Sequence, residues 1–390
     1  MSGREPFCQP RRLGRGAALT LVFASVLVAG AATGSLPCGL RQAGSAERQD
    51  ATAPAGHAED VTRAAAEAAA DGKSPLEAAE RAVSRSGDRW AAVYSEGEYE
   101  EFEASLDGRY TGVGLVAGRE AGGLIEITGV RSGSPAAAAG IRVGDRLRSV
   151  DGHRVDGTPV TEVVSLLRGD ATDEPVGTTV TLGLERGTRA WSQTLRRARL
   201  STDSVTVRRL DGRATVIKIA AFTKGVGATV RSAVRETPAD TGIVLDLRGN
   251  SGGLVAEATA TASAFLDGGL VATYDVDGAQ RALHAESGGD TTRPLVALVD
   301  GGTMSAAELL TGALQDRGRA VVVGARTFGK GSVQMPSRLP DGSVAELTVG
   351  HYRTPLGRTV DGRGITPDLE VSDGVLERAE TVLGGLGDAS

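Results

Sequence analysis

Apolar residues change their spacing three times along the chain. Residues 61–93 form an alanine-rich stretch of helical character, broken at Asp71-Gly72 and restarted at Ser74-Pro75, a capping serine followed by proline at the first helical position. This predicts helices at the periphery of the fold. From Gly112 to about Leu195 the texture becomes short alternating apolar runs separated by glycine turns. There Ser134-Pro135 opens an alanine helix that Gly140 closes, Asp151-Gly152 turns a strand back, and Thr158-Pro159 opens a second helix over 160–168 that Gly169 closes. Val180, Leu182 and Leu184 alternate as one buried strand face, with Arg186-Gly187 as the next turn. These signals predict a compact module of about 90 residues, mostly strands with two helices. From Val205 onward strand and helix alternate: residues 214–219, 242–247 and 295–299 read as buried strands, each followed by a helical or loop segment. That pattern predicts a mixed α/β layer domain, and no internal repeat accompanies it.

Composition narrows the picture. The 390 residues include 40% apolar ones, enough to bury a core in each of two domains. A net charge of −6 with both signs spread along the chain argues against a nucleic-acid partner. Lysine is scarce, with Lys73, Lys218, Lys224 and Lys330 set against 39 arginines (43 − 4). A position that keeps lysine is a candidate for what arginine cannot do, which is to lose its proton. Cys8 and Cys38 both precede the presumptive folded body, so neither a disulfide framework nor a cysteine-metal site is expected. Arg11, Arg12 and Arg15 precede an uncharged run from Gly16 to Thr33, the charged-then-apolar order of an export signal or an uncut membrane anchor. Either fate puts the body outside the cytoplasm.

Three segments carry candidate chemistry. In the first, an apolar strand ends at Asp300, Gly301-Gly302 turns, and a helix begins at Ser305, where unpaired amides and the positive end of the helix dipole favour a developing oxyanion. Ser305 or Thr303 acting only as an N-cap is the bland reading of the same residues. In the second, Gly324 to Lys330 fits the phosphate-loop pattern GxxxxGK and raises nucleotide hydrolysis as a rival. That rival fails because Gly331 stands where a Ser or Thr is needed, and residues 332–336 continue as an extended, proline-stopped run. If that run is a strand, Lys330, Ser332 and Gln334 project from one face. In the third, residues 245–253 run from a strand into a polar glycine loop, where Gly252 or Gly253 could donate to an oxyanion, or where the chain simply turns. His57, His153, His284 and His351 are the only histidines, and none sits in a nucleophile, acid or metal-ligand pattern.

Taken together, these segments resemble the carboxyl-terminal processing peptidases, or tail-specific proteases, over about residues 94–369. The likeness rests on Tyr110-Thr111-Gly112-Val113-Gly114 and residues 132–145 in the small module. In the core it rests on Asp246-Leu247-Arg248 with Asn250 and Gly252-Gly253, on residues 313–316, and most specifically on residues 327–334; Tyr352 to Arg358 and Gly364 to Asp368 extend it. The resemblance implies an α/β protease core with crotonase/Clp-protease-like layers, an N-terminal helical segment and a mostly-β PDZ-like domain. It implies Ser305 as nucleophile, Lys330 as general base and Gln334 as the residue that holds the lysine, with Gly252 and Ala306 supplying the oxyanion amides. Thr111, Gly112, Val113, Gly114 and Leu115 would capture a substrate's C-terminal carboxylate.

The expected organisation is a leader over 1–36, a linker over 37–60, a helical region over 61–106, the PDZ-like domain over 107–197, the Ser-Lys core over 198–372 and a C-terminal helix or tail over 373–390. The expected function is an extracytoplasmic serine endopeptidase acting on proteins with free C-termini. It needs no metal or cofactor, touches a membrane only through its N-terminal segment, and leaves oligomerisation open. A noncatalytic PDZ scaffold on a dead protease fold is the rival from a different class.

Overall fold

The computed structural model describes residues 56–119, 123–169, 176–210, 214–276 and 279–387. The leader and most of the linker lie outside them. Among the described residues no helix is long and apolar enough to cross a membrane. The chain divides into two units. One comprises Thr111–Leu200; the other comprises the described residues before it and after it.

The smaller unit is an antiparallel sheet over a core of Ile125, Ile127, Leu147, Val150, Val163, Val180, Leu182 and Leu184. The expected helices occupy Pro135–Ala138 and Val160–Arg168. The second starts without a side-chain cap, because Pro159 and not Thr158 takes the N-cap position. Leu115–Arg119 is an edge strand, hydrogen-bonded on one side to Ile125–Val130. The turn before it is pinned from within, where the carbonyls of Val113 and Gly114 accept the amides of Ala136 (3.0 Å) and Arg131 (2.9 Å). Gly114 has φ 82°, and a Cβ there would lie 2.2 Å from Ser134 Cβ, so this turn requires glycine.

The larger unit begins with helices α1 (Gly56–Ala70) and α2 (Pro75–Ser86), strand β1 (Ala92–Tyr94) and helix α3 (Glu96–Leu106). Ser74 caps α2 as its sequence predicts, accepting the Glu77 amide. The helices are not peripheral: Val61, Ala65 and Ala79 pack on Ala345 and Leu347, and β1 pairs with a core strand. Alanine leaves a face narrow enough to bury against a sheet, which composition alone does not reveal.

The core continues with β2 (Val205–Leu210), β3 (Ala214–Ile219), α4 (Val226–Glu236), β4 (Gly242–Asp246), α5 (Val255–Ala262), β5 (Leu270–Val276), β6 (Ala279–His284) and β7 (Leu295–Val299). It ends with α6 (Ala306–Asp316), β8 (Val321–Gly324), β9 (Ser332–Arg338), β10 (Val344–Arg353), β11 (Leu369–Glu370) and α7 (Val375–Gly387). One sheet has the order β2-β3-β4-β7-β8-β11 and is parallel except at β2. Strands β4 and β7 are buried along their whole length, as apolar runs covered on both faces must be. Helices α4, α5 and α6 cover one face, and α7 covers the other through Ala379 and Leu383. A second sheet has the order β1-β10-β5-β6, with β9 paired to β10. The strand β9 begins where a phosphate loop would need a helix, which removes the nucleotide reading.

Candidate active site

Three neighbouring parallel strands, β4, β7 and β8, end at one edge of the sheet, and their following loops meet there. This carboxyl edge is where open α/β sheets bind ligands. The loop after β4 is fixed by Asp246, whose carboxylate grips the Arg248 guanidinium through two bonds of 2.8 Å. Asn250 is fully buried, and its Nδ2 donates to the Ile219 carbonyl at 3.0 Å. The turn after β7 is tied to this loop: Gly249 N–H donates to Asp300 Oδ1 (2.9 Å), Thr303 Oγ1 to the Leu247 carbonyl (2.9 Å), and Met304 N–H to the Asn250 carbonyl (2.8 Å).

Ser305 follows at the N-cap of α6 with φ 55° and ψ −118°, a left-handed conformation rare for a residue with a side chain. Its hydroxyl makes no side-chain cap hydrogen bond. The bland N-cap reading therefore accounts for Ser305's position but not for its strain. Instead the residue is held through its backbone. Its N–H donates to Glu308 Oε2 at 2.9 Å, and its carbonyl accepts Tyr352 Oη at 3.0 Å.

Glu308 is fully buried and organises the third loop. Besides the Ser305 amide its carboxylate accepts Thr327 Oγ1 (2.5 Å), the Gly329 amide (2.7 Å) and the Lys330 amide (2.8 Å). Burial pushes its pKa up, while these four hydrogen bonds pull the other way by favouring the carboxylate. One carboxylate thus anchors both Ser305 and Lys330. Its sequence signal is the Ser-x-x-Glu spacing of a capping box, and that spacing does not reveal the additional grip on residues 327–330.

Lys330 precedes β9 and is not part of it, so the expected single strand face of Lys330, Ser332 and Gln334 does not form. The glycines on either side explain this. Gly329 has φ 94°, and Gly331 packs so closely on Asp361 that a Cβ would lie 2.5 Å from its amide nitrogen. A register shift between Val333 and Gln334 breaks the alternation again. Among the described residues no hydrogen bond joins Ser305 Oγ to Lys330 Nζ; the amine lies over the Trp90 ring, 4.9 Å from its centroid. Burial lowers the Lys330 pKa, and the nearby charges of Glu346 and Asp88 partly restore it. Among the described residues no hydrogen bond joins Gln334 to the Lys330 amine: its Nε2 donates to Ser332 Oγ (2.8 Å) and Thr348 Oγ1 (3.4 Å).

The glycine loop lies against Ser305. A Cβ at Gly252 (φ 102°) would sit 2.9 Å from Ser305 Cβ. The Gly252 amide is committed to Asn250 Oδ1 at 2.8 Å, whereas the Gly253 amide has no hydrogen-bond partner among the described residues. Ala306 is the first residue of α6, where an amide has no intrahelical acceptor. Among the described residues no cluster of His, Cys, Asp and Glu could hold a metal ion.

Comparison with known proteins identifies the family of the core and of the smaller unit. Residues 213–371 match the model of peptidase family S41, and residues 126–181 match that of a PDZ domain. The chain is 34% identical to carboxyl-terminal-processing peptidase 3, chloroplastic, of Arabidopsis thaliana over 76% of this chain and 60% of that one. It is 30% identical to the carboxy-terminal processing protease CtpA of Bacillus subtilis over 73% of this chain and 60% of the relative. It thus spans about three fifths of the length of these relatives. The solved photosystem II D1 C-terminal processing protease superposes with a TM-score of 0.51 at 28% identity, covering 80% of this chain and 86% of that one. The chain belongs to peptidase family S41 through its core and carries a PDZ domain.

Proposed function

We propose that the protein is a serine endopeptidase that cleaves protein substrates recognised by their C-terminal tails. One observation carries the reading: the backbone amides of Ser305 and Lys330 bind the same oxygen, Glu308 Oε2, at 2.9 and 2.8 Å. That shared anchor gives the hydroxyl and the amine a common frame. In the reaction Ser305 Oγ attacks the scissile carbonyl while Lys330 Nζ takes the hydroxyl proton. The lysine returns that proton to the leaving amine, and water then repeats the exchange on the acyl-enzyme. An amine whose pKa is lowered by burial suits this role, since an ordinary lysine stays protonated near neutrality. The Ala306 amide and the glycine loop supply the oxyanion donors, and of the two glycines Gly253 has the amide to give. Gln334 acts on Lys330 at one remove, through the strands that carry Thr348.

Tail capture is assigned to the smaller unit, with residues Thr111 to Leu115 receiving the terminal carboxylate. An edge strand at Leu115–Arg119, following a turn whose carbonyls are engaged inward, suits addition of a peptide strand. The core's layers are read as the crotonase/Clp arrangement. The charged-then-apolar order of residues 11–33 supports action outside the cytoplasm. A noncatalytic tail-binding scaffold is favoured by one feature, the missing hydrogen bond between Ser305 and Lys330. Hydrolysis of a peptide with a small apolar free C-terminus, beside its amidated twin, separates the readings. The free peptide should be cut much faster. Equal rates would contradict tail recognition, and cleavage of neither would favour the scaffold.

A further inference from the structure

The segment Asp88-Arg89-Trp90 lies far in sequence from the three catalytic loops, yet it meets Lys330. The Trp90 ring carries Lys330 Nζ at 4.9 Å and Arg89 Cζ at 4.8 Å, with Phe328 edge-on at 5.8 Å. Its indole Nε1 is buried without a hydrogen-bond partner among the described residues. Leaving such a donor unsatisfied costs about 1–3 kcal/mol, so something other than the N–H keeps the ring in place. What fixes it is Asp88. Its carboxylate accepts the amides of Trp90 (3.0 Å), Ala91 (3.2 Å) and Thr348 (3.0 Å), and the Thr348 hydroxyl at 3.0 Å. Gln334 donates to that same hydroxyl, so the glutamine expected to hold the lysine is connected to the loop that carries Trp90.

We infer that Trp90 is a positioning residue that holds the Lys330 amine on its ring, away from Ser305 Oγ, in the resting enzyme. This rests on the Ser305–Lys330 reading above. The backbone of Lys330 is fixed by Glu308, so only its side chain has to swing between ring and hydroxyl. No hydrogen bond to Nζ among the described residues has to break. A cation over an aromatic face is stabilised, whereas the general base must be a neutral amine. The ring therefore favours the inactive protonation state as well as the inactive position. Half-buried Glu346 and Asp88 act in the same sense, since both favour the charged amine.

Two measurements on the full chain test this. Trp90 and Trp191 are the only tryptophans, so Trp191→Phe leaves Trp90 as the sole reporter. In that background the Trp90 emission should titrate with the Lys330 amine, and the step should vanish in Lys330→Met. Asp88, Glu346, Arg89, Asp361 beside Arg89, and His351 beside Asp361 also surround the site, but all of them persist in that variant. Trp90→Leu should turn over peptide about 2- to 30-fold faster than the parent near neutral pH, the equivalent of ~0.5–2 kcal/mol, with Trp90→Phe between them. A titration step that survives Lys330→Met, or Trp90→Leu and Trp90→Phe enzymes no faster than the parent, overturns the inference. Absence of hydrolysis in every form defeats the peptidase reading instead, and the emission titration still decides whether the ring holds the amine.

Discussion

The two halves of the site are held by different means. Ser305 is fixed through its backbone: its N–H is held by Glu308, its carbonyl by Tyr352, and the preceding amide by Asn250. The Lys330 amine has a ring and two carboxylates around it. Directional hydrogen bonds set a position closely, whereas a cation over an aromatic face tolerates displacement. On the proposed mechanism, the contrast means that Ser305 is built in advance, while the Lys330 amine is only brought near and has to move.

Removing the fixed half should have the largest effect. Ser305→Ala should abolish turnover, a loss of at least ~10³-fold, without changing the melting temperature. Next is Glu308→Gln, which places an NH2 among four donors. It should destabilise the fold by about 1–3 kcal/mol in denaturant titrations and lower turnover in the molecules that remain folded. Gly252→Ala sharpens the same half, because the added methyl meets Ser305 Cβ at 2.9 Å in a backbone region unfavourable to alanine. A cost of ~1–3 kcal/mol and slower acylation are expected, measured by thermal unfolding and single-turnover kinetics. The smallest effect belongs to the charges around the Lys330 amine. Activity should rise with pH as Lys330 loses its proton, along a limb below the ordinary lysine range because burial lowers its pKa. Glu346 opposes that lowering, so Glu346→Gln should move the limb to lower pH in a rate profile; an unmoved limb would show that its charge is not felt by the amine.

The same division governs what the sequence revealed. Segments whose conformation follows from local pattern were legible: the buried strands of the core, the helix after Ser305, the capping serine at Ser74, and the paired-glycine turn before Leu254. Residues 61–93 were legible as helices but not as part of the core, because burial of an alanine face depends on a strand some 250 positions later. Trp90, Asp88 and Glu346 carried no local signal at all, since each acquires its meaning from a side chain distant in the chain. Gln334 was legible by family likeness, yet a register shift and Thr348 redirect its amide. Lys330 stood out through the rarity of lysine, although the strand it was expected to join starts two residues later.

The central claim is that a neutral amine at position 330 activates the Ser305 hydroxyl, and arginine at that position tests it most directly. Arginine keeps the positive charge and can still lie over Trp90, but it does not deprotonate in the working pH range. Peptide hydrolysis should fall to the level of Ser305→Ala in Lys330→Arg, with unfolding unchanged. Cleavage by Lys330→Arg at a substantial fraction of the parent rate would contradict the account.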